Sequence, residues 1–101
     1  MRKEFKFTVK EHEIKVTNSW FHGMKLYVGG ELRDFDKSLT ANGKIALLSA
    51  KLGEFGVLEI YPSSLFTIEV DAYLIKGSEN MHVFSSNKRL SLKEQRLAKD
   101  I

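Results

Sequence analysis

Apolar and polar residues alternate with a period of two along most of the chain, which is typical of strands that bury one face. The runs 5–9 and 12–17 follow this pattern and predict a first hairpin that turns near Glu11. The run 24–28 ends at Gly29-Gly30, a pair suited to the two positive-φ positions of a tight hairpin turn. We therefore predict that the chain returns as a strand over 31–35.

The second half continues the same rhythm. Asn42-Gly43 predicts a turn before a strand over 45–52, and the segment 53–56 predicts the next turn. Pro62-Ser63-Ser64 interrupts the strand-like run 57–61, so Pro62 is expected at a turn or a sheet edge because proline cannot donate to a ladder. The run 65–75 alternates most regularly, and a last core strand is predicted over 81–84.

Many short strands without a long helix between them predict an all-β fold. We expect a single-domain antiparallel β-sandwich or small barrel of about seven or eight strands, with a short C-terminal helix. Alternation identifies the buried face but not whether the sheet closes, so sandwich and barrel remain equal alternatives. The predicted domain spans 1–87, and 88–101 is a basic helix or tail that opens with a capping-box pattern, Ser91 to Glu94.

Composition supports one folded domain. The chain has 101 residues, of which 43% are hydrophobic, and it contains no cysteine. Disulfides, cysteine-ligated zinc and thiol catalysis are therefore excluded. Charges interrupt every apolar step of the first seven residues, and charges and Pro62 interrupt the apolar stretch 57–75. We expect no signal peptide, no membrane span and a cytoplasmic location.

The net charge of +3 comes from the C-terminal tail. Of the 16 basic and 13 acidic residues, five basic and two acidic lie in 88–101, which leaves 11 of each in 1–87. The tail could touch phosphates weakly through Lys88, Arg89, Lys93 and Arg96. Nucleic-acid binding is nevertheless disfavoured, because the tail carries no aromatic residue that could stack on bases.

No motif in the chain specifies a reaction. There is no nucleophile elbow, phosphate loop or dinucleotide fingerprint. His12, His22 and His82 lack the spacing of metal ligands, so we predict no metal and no cofactor. His82 shares the strand parity of Phe84, and surface or structural roles are expected for all three histidines.

Carboxylates fall on the polar faces of the predicted strands, at Glu59, Glu69 and Asp71. Two carboxylates close together are what glycosidase-type chemistry needs. A solvated strand face with lysines as counter-charges is the simpler interpretation.

Aromatic residues offer the best candidate for a binding surface. Trp20, Phe21 and His22 precede Gly23 at the junction between the first two hairpins. Trp20 is expected to pack in the core, whereas Phe21 and His22 are the pair expected to be exposed. Tyr27 and Tyr61 are the further aromatic residues that could complete a stacking platform.

The segment 12–35 combines a strand, Trp20, Gly23, the Tyr27-Val28 pair, Gly30 and a returning strand. This arrangement resembles small bacterial all-β proteins of unassigned function and, more distantly, the β-sandwich of the Fas apoptosis inhibitory molecule. It covers about a quarter of the chain. Aspartate commonly occupies the position of Gly29 in that setting, so this turn departs from the pattern. The resemblance implies a compact antiparallel sandwich that binds a partner and has no catalytic residues to transfer.

Three functions are compatible with these observations. The first is a non-catalytic binding or protein-interaction module, with a protein or a second copy as partner, the latter through a strand edge near Pro62 or the first hairpin. The alternative is a small-ligand-binding barrel or an enzyme, with His82 and the carboxylates Glu59, Glu69 or Asp71 at the mouth of its cavity. The further alternative is a weak nucleic-acid accessory protein that uses the basic tail. The ligand is not specified by any of the three.

Overall fold

A computed structural model describes residues 2–19, 23–37, 46–64 and 68–86 of the chain. In these ranges eight antiparallel strands form two four-stranded sheets. The strands are β1 (Arg2–Val9), β2 (His12–Ser19), β3 (Gly23–Val28), β4 (Glu31–Asp36), β5 (Leu48–Lys51), β6 (Val57–Ser64), β7 (Ile68–Lys76) and β8 (Glu79–Ser85). A short 3-10 helix, Gly53–Phe55, connects β5 to β6.

Each sheet is a meander in which sequence neighbours pair. The first sheet has the order β1-β2-β3-β4 and the second the order β5-β6-β7-β8. The predicted all-β antiparallel fold is thus confirmed. The described strands form two separate sheets, so they do not form the closed barrel that was one of the two predicted alternatives. The predicted C-terminal helix and the tail 88–101 lie outside the described residues.

The inner faces of both sheets share one apolar core, as the period of two predicts. In β3, and in β7 from Val70 to Leu74, buried residues alternate with half-buried ones. The fully enclosed aliphatic side chains come from both sheets: Val9, Ile14, Val16, Leu26, Leu48, Leu52, Leu58, Ile60 and Val70. Packing of one sheet on the other therefore supplies most of the stability of a chain that has no disulfide.

Side chains join the sheets where β4 lies beside β5. The Asp34 carboxylate accepts a hydrogen bond from the Ser49 backbone N–H at 2.9 Å, and the Arg33 guanidinium donates to the Lys51 carbonyl at 2.9 Å. These bonds occupy backbone groups on an edge strand, which would otherwise be open to another chain.

The opposite seam lies between β1 and the pair β7 and β8. The rings of Phe7 and Phe84 stack with their centroids 4.2 Å apart, and the Lys3 ammonium donates to the Ile68 carbonyl at 2.8 Å. The first hairpin, which the sequence suggested as an open edge for self-association, therefore contacts the neighbouring sheet within the same molecule.

Pro62 does not interrupt a strand. It lies within β6, between β5 and β7 in the sheet order, and it is fully buried. The ladder between β5 and β6 begins at the pair Leu48 and Ile60, so among the described residues no ladder partner lies opposite Pro62 on the β5 side. On the other side Pro62 is opposite Val70, whose N–H and carbonyl both bond to Ser86 instead. The missing N–H of Pro62 thus leaves no bond unmade in the ladders that the structure describes, which explains why proline is tolerated here.

A register shift separates His82 from Phe84 and corrects the prediction that they share a face. Tyr73 is opposite His82 and Ala72 is opposite Phe84, so Val83 is the extra residue of a β-bulge. Phe84 consequently packs against the core with Phe7, while His82 lies on the outer face with Tyr73.

One hairpin turn confirms the predicted Gly-Gly turn, and another contains strained backbone. Gly29 and Gly30 have φ values of 59° and 83° between the paired residues Val28 and Glu31, as the Gly-Gly pair predicts. The turn between β1 and β2 has the same length, yet Lys10 and Glu11 occupy its positive-φ positions, with φ of 49° and 79°. Non-glycine residues in this region store backbone strain.

Replacing Glu11 with glycine is expected to stabilise the protein by about 1 kcal/mol, because glycine adopts this φ without a clash of its side chain. Urea unfolding followed by circular dichroism would measure the change. Ser78→Gly in the turn between β7 and β8 is the matched control, because Ser78 has no positive φ and glycine there only loosens the unfolded chain. Equal effects of the two variants would contradict the strain assigned to Glu11.

Candidate functional site

Polar and aromatic side chains cluster on the outer face of the second sheet. We call this cluster the tyrosine face and define it as Glu59, Tyr61, Asp71, Tyr73 and His82. They alternate with buried residues in β6, β7 and β8, so the period of two directs them outward. The register places Glu59 opposite Tyr73, Tyr61 opposite Asp71, and Tyr73 opposite His82. Five functional groups from three strands therefore lie side by side.

Aromatic contacts run across the tyrosine face. The rings of Tyr61 and Tyr73 meet edge to face with centroids 5.4 Å apart. The ring of Tyr73 stacks on the His82 imidazole at 4.5 Å and an interplanar angle of 14°. These are favourable geometries for aromatic pairs. The three rings form a continuous platform across the sheet.

Carboxylates border this platform on two sides. The Tyr61 hydroxyl donates to Glu59 Oε1 at 2.8 Å. This hydrogen bond, reinforced by burial and by the negative charge of Glu59, raises the pKa of Tyr61 above its ordinary value of 10.0. At the other end, His82 Nε2 lies 3.0 Å from Asp71 Oδ1, with 21% and 28% of the two side chains exposed. Both carboxylates are thus held in place while part of each remains accessible.

Glu69 lies on β7, the strand that carries Asp71 and Tyr73, but its carboxylate already has bonding partners. Its carboxylate accepts a hydrogen bond from Ser86 Oγ at 2.7 Å and pairs with Lys3 Nζ at 3.1 Å. The Ser86 hydroxyl and the Lys3 ammonium lower the pKa of Glu69 below its ordinary value of 4.5. The charge of Glu69 is therefore used to connect β1 to the second sheet, and it belongs to the structural seam rather than to the tyrosine face.

The tyrosine face combines negative charge with aromatic rings. Among the described ranges, no three His, Asp or Glu side chains are placed to hold a metal ion. His12 lies in the other sheet and contacts the Phe55 ring edge to face at 5.8 Å. Two carboxylates beside three rings can instead attract a cationic side chain through charge and through the ring quadrupoles.

The described members of the predicted stacking platform, Tyr27 and Tyr61, lie on different sheets. Trp20, Phe21 and His22 lie outside the described residues, as does the basic segment with Lys88, Arg89, Lys93 and Arg96. Tyr27 is on the first sheet, where the Lys15 ammonium lies 4.6 Å from its ring centroid. Tyr61 is on the outer face of the second sheet. Tyr27 and Tyr61 are therefore not neighbours.

The carboxylates and His82 also lie elsewhere than predicted. The sequence suggested that His82 and the carboxylates Glu59, Glu69 or Asp71 could lie at the mouth of a cavity inside a barrel. All four instead lie on the outer side of the second sheet, and the described interior between the sheets is filled by apolar side chains. The positions follow from strand parity, which directs them away from the core.

Tyr73 is the residue of this site that the sequence analysis did not select. Its signal was present, because it continues the polar alternation of Glu69 and Asp71. Its contact with Tyr61 depends on the register of the hairpin between β6 and β7, where Ser64 is opposite Ile68. A one-residue difference in that register would have separated the two rings.

Comparisons with known proteins add no relative. No family model, curated protein or solved structure matches the chain. The described parts of the chain contain no helix with the length and apolar composition needed to cross a membrane.

Proposed function

We propose that this chain is a non-catalytic protein-interaction module that binds a cationic segment of its partner on the tyrosine face. The observation that carries the proposal is the continuous row of Tyr61, Tyr73 and His82 rings flanked by the Glu59 and Asp71 carboxylates. Tyrosine is enriched at the centres of protein interfaces, where a rigid ring supplies contact area at a small entropic cost.

The chemistry of the face selects a basic partner. An arginine side chain could lie over the ring of Tyr61 or Tyr73 while its guanidinium reaches the carboxylate of Glu59. The hydrogen bond from Tyr61 restrains that carboxylate before binding, which reduces the entropy lost on association. An anionic partner would instead meet two carboxylates at close range and would be repelled.

An enzyme has less support from the same residues. The Asp71–His82 pair resembles part of a hydrolytic triad, but the Ser86 hydroxyl nearby is committed to Glu69 and to the Val70 N–H. The resemblance of 12–35 to the β-sandwich of the Fas apoptosis inhibitory molecule stays a prediction, because no comparison tests it.

The binding test uses a fluorescein-labelled peptide of alternating arginine and glycine, about 12 residues long. Fluorescence anisotropy should show saturable binding to the full chain, and a peptide of alternating glutamate and glycine should not bind. Glu59→Gln and Tyr61→Ala are each expected to weaken binding of the arginine peptide by about threefold to tenfold.

Glu79→Gln is the matched control for Glu59→Gln. It removes the same charge from the same sheet, at an exposed position near the turn at the start of β8. If Glu79→Gln weakens binding as much as Glu59→Gln does, the peptide responds to net charge and the tyrosine face is not its site. Sedimentation equilibrium of the protein alone shows whether a second copy is the partner, because only then does the mass rise with concentration.

A further inference from the structure

Three lysines lie on the outer face of the first sheet, on three neighbouring strands. Lys6 in β1 is directly opposite Lys15 in β2, and Lys25 in β3 is opposite Thr17, two register pairs from Lys15. Like charges in opposite register destabilise an antiparallel pair. Lys6 has an exposed partner in Glu4 at 3.3 Å, and within the described residues no carboxylate forms an ion pair with Lys15 or Lys25. An anion placed between these lysines would relieve their repulsion.

Aromatic side chains lie among these lysines. The Lys15 ammonium is 4.6 Å from the ring centroid of Tyr27, and Phe35 is opposite Lys25 in the register. Phe35 is 56% exposed, and Leu32, opposite Tyr27, is 47% exposed. Of the large hydrophobic residues that the structure describes, these two are the exposed ones. We call Lys6, Lys15, Lys25, Tyr27 and Phe35 the lysine face.

The net charge of residues 1–87 gives no indication of this surface. Residues 1–87 contain equal numbers of basic and acidic residues, which predicted no basic face on the body. Glu59, Glu69 and Asp71 all lie on the outer side of the second sheet. The outer face of the first sheet carries two carboxylates, Glu4 and Glu13, beside its lysines. The sequence analysis disfavoured nucleic acid because the basic tail lacks aromatic residues. The lysine face combines basic and aromatic residues on one surface.

The dimensions of the face favour a single strand over a duplex. Four strands about 4.8 Å apart give a face roughly 14 Å wide before side chains are added, which exceeds the roughly 12 Å width of the major groove. Exposed rings on a sheet can stack on unpaired bases, while lysines beside them contact the phosphates. A groove of about 500 Å³ adjoins the face, and its polar lining consists of Lys6, Thr8, Glu13 and Lys15.

We propose that the lysine face binds single-stranded nucleic acid, with Phe35 and Tyr27 stacking on bases and Lys6, Lys15 and Lys25 contacting phosphates. This activity goes beyond the proposed protein-interaction function, because it uses the opposite sheet. Recognition would be tolerant of sequence, since stacking uses the face that every base offers.

The test measures fluorescence anisotropy of a fluorescein-labelled oligothymidine about 15 nucleotides long with the full chain. Binding should weaken with salt, and three phosphate contacts predict a slope of about −2 for the logarithm of affinity against the logarithm of salt concentration. Lys15→Gln should reduce that slope by about 0.7. Phe35→Ala should weaken binding by about tenfold with little effect on folding, because the side chain is exposed.

Lys51→Gln provides the matched control, because Lys51 is exposed on β5 of the second sheet. It should leave the affinity unchanged. The basic tail is tested separately by changing Lys88, Arg89, Lys93 and Arg96 to glutamine. The proposal is overturned if the tail variant abolishes binding while Phe35→Ala and Lys15→Gln bind as the parent chain does. It is also overturned if Phe35→Ala has no effect and heparin competes as well as unlabelled oligothymidine, because the site would then recognise charge alone.

Discussion

Leu26→Ala is expected to lower the free energy of unfolding by about 2–5 kcal/mol. Leu26 lies in β3, an interior strand of the first sheet, and none of its surface is exposed. Truncation removes the transfer free energy of the buried methyl groups and leaves a cavity that the two packed sheets can fill only in part. Urea denaturation monitored by circular dichroism measures the loss as a lower midpoint with an unchanged slope.

Leu32→Ala supplies the matched control for this variant. It makes the same chemical change on the adjacent strand β4, but Leu32 is 47% exposed. Its effect should stay within about 0.5 kcal/mol. Similar losses for the two variants would mean that β3 has the wrong face toward the core, because a slip of one residue reverses every side chain of a strand.

Gly56→Ala should destabilise the protein by about 3–5 kcal/mol. Gly56 has φ of 107° between the 3-10 helix and β6, a conformation that side chains rarely adopt. A Cβ atom there would clash with the carbonyl oxygen of Ile75, which is a backbone atom of β7. Because β7 is an interior strand, it cannot move away without disturbing its pairing with β6 and β8.

Gly53→Ala separates the steric clash from the backbone conformation. Gly53 also has a positive φ, 61°, but a Cβ atom there would meet nothing within 4 Å. Only the conformational cost remains, about 1 kcal/mol. Thermal unfolding of both variants should therefore give a much larger loss for Gly56→Ala. Equal losses would show that β7 yields to the added atom and that the approach to Ile75 is not a constraint.

Local patterns were enough to predict most strands of this fold. The Gly29-Gly30 pair located a turn to the residue, because few residues other than glycine adopt two successive positive φ values without strain. Alternation likewise identified the buried and exposed sides of β7. These features depend on residues close together in the chain.

Predictions failed where they depended on pairing between strands. Pro62 was predicted to interrupt a strand, because the sequence does not show that the pairing of β5 with β6 stops short of Pro62. The bulge at Val83 moved His82 and Phe84 to different faces, and no residue in 81–85 indicates such a shift.

The candidate surfaces were only partly predictable for the same reason. Tyr61 was identified from its type, but its partners Tyr73 and His82 were fixed by register. The grouping of three lysines on one face likewise requires knowledge of which face each strand presents. Charge totals for the body, which balance, contain none of this information.

The strictly consecutive order of strands in both sheets also has a consequence for how the chain folds. Every ladder joins segments that follow one another in sequence, so each hairpin closes a short loop and loses little chain entropy. Neither sheet can bury its apolar face alone, since the core takes side chains from both. We therefore expect the hairpins to form before the two sheets dock, and we expect docking to be the step that supplies most of the stability of the native state.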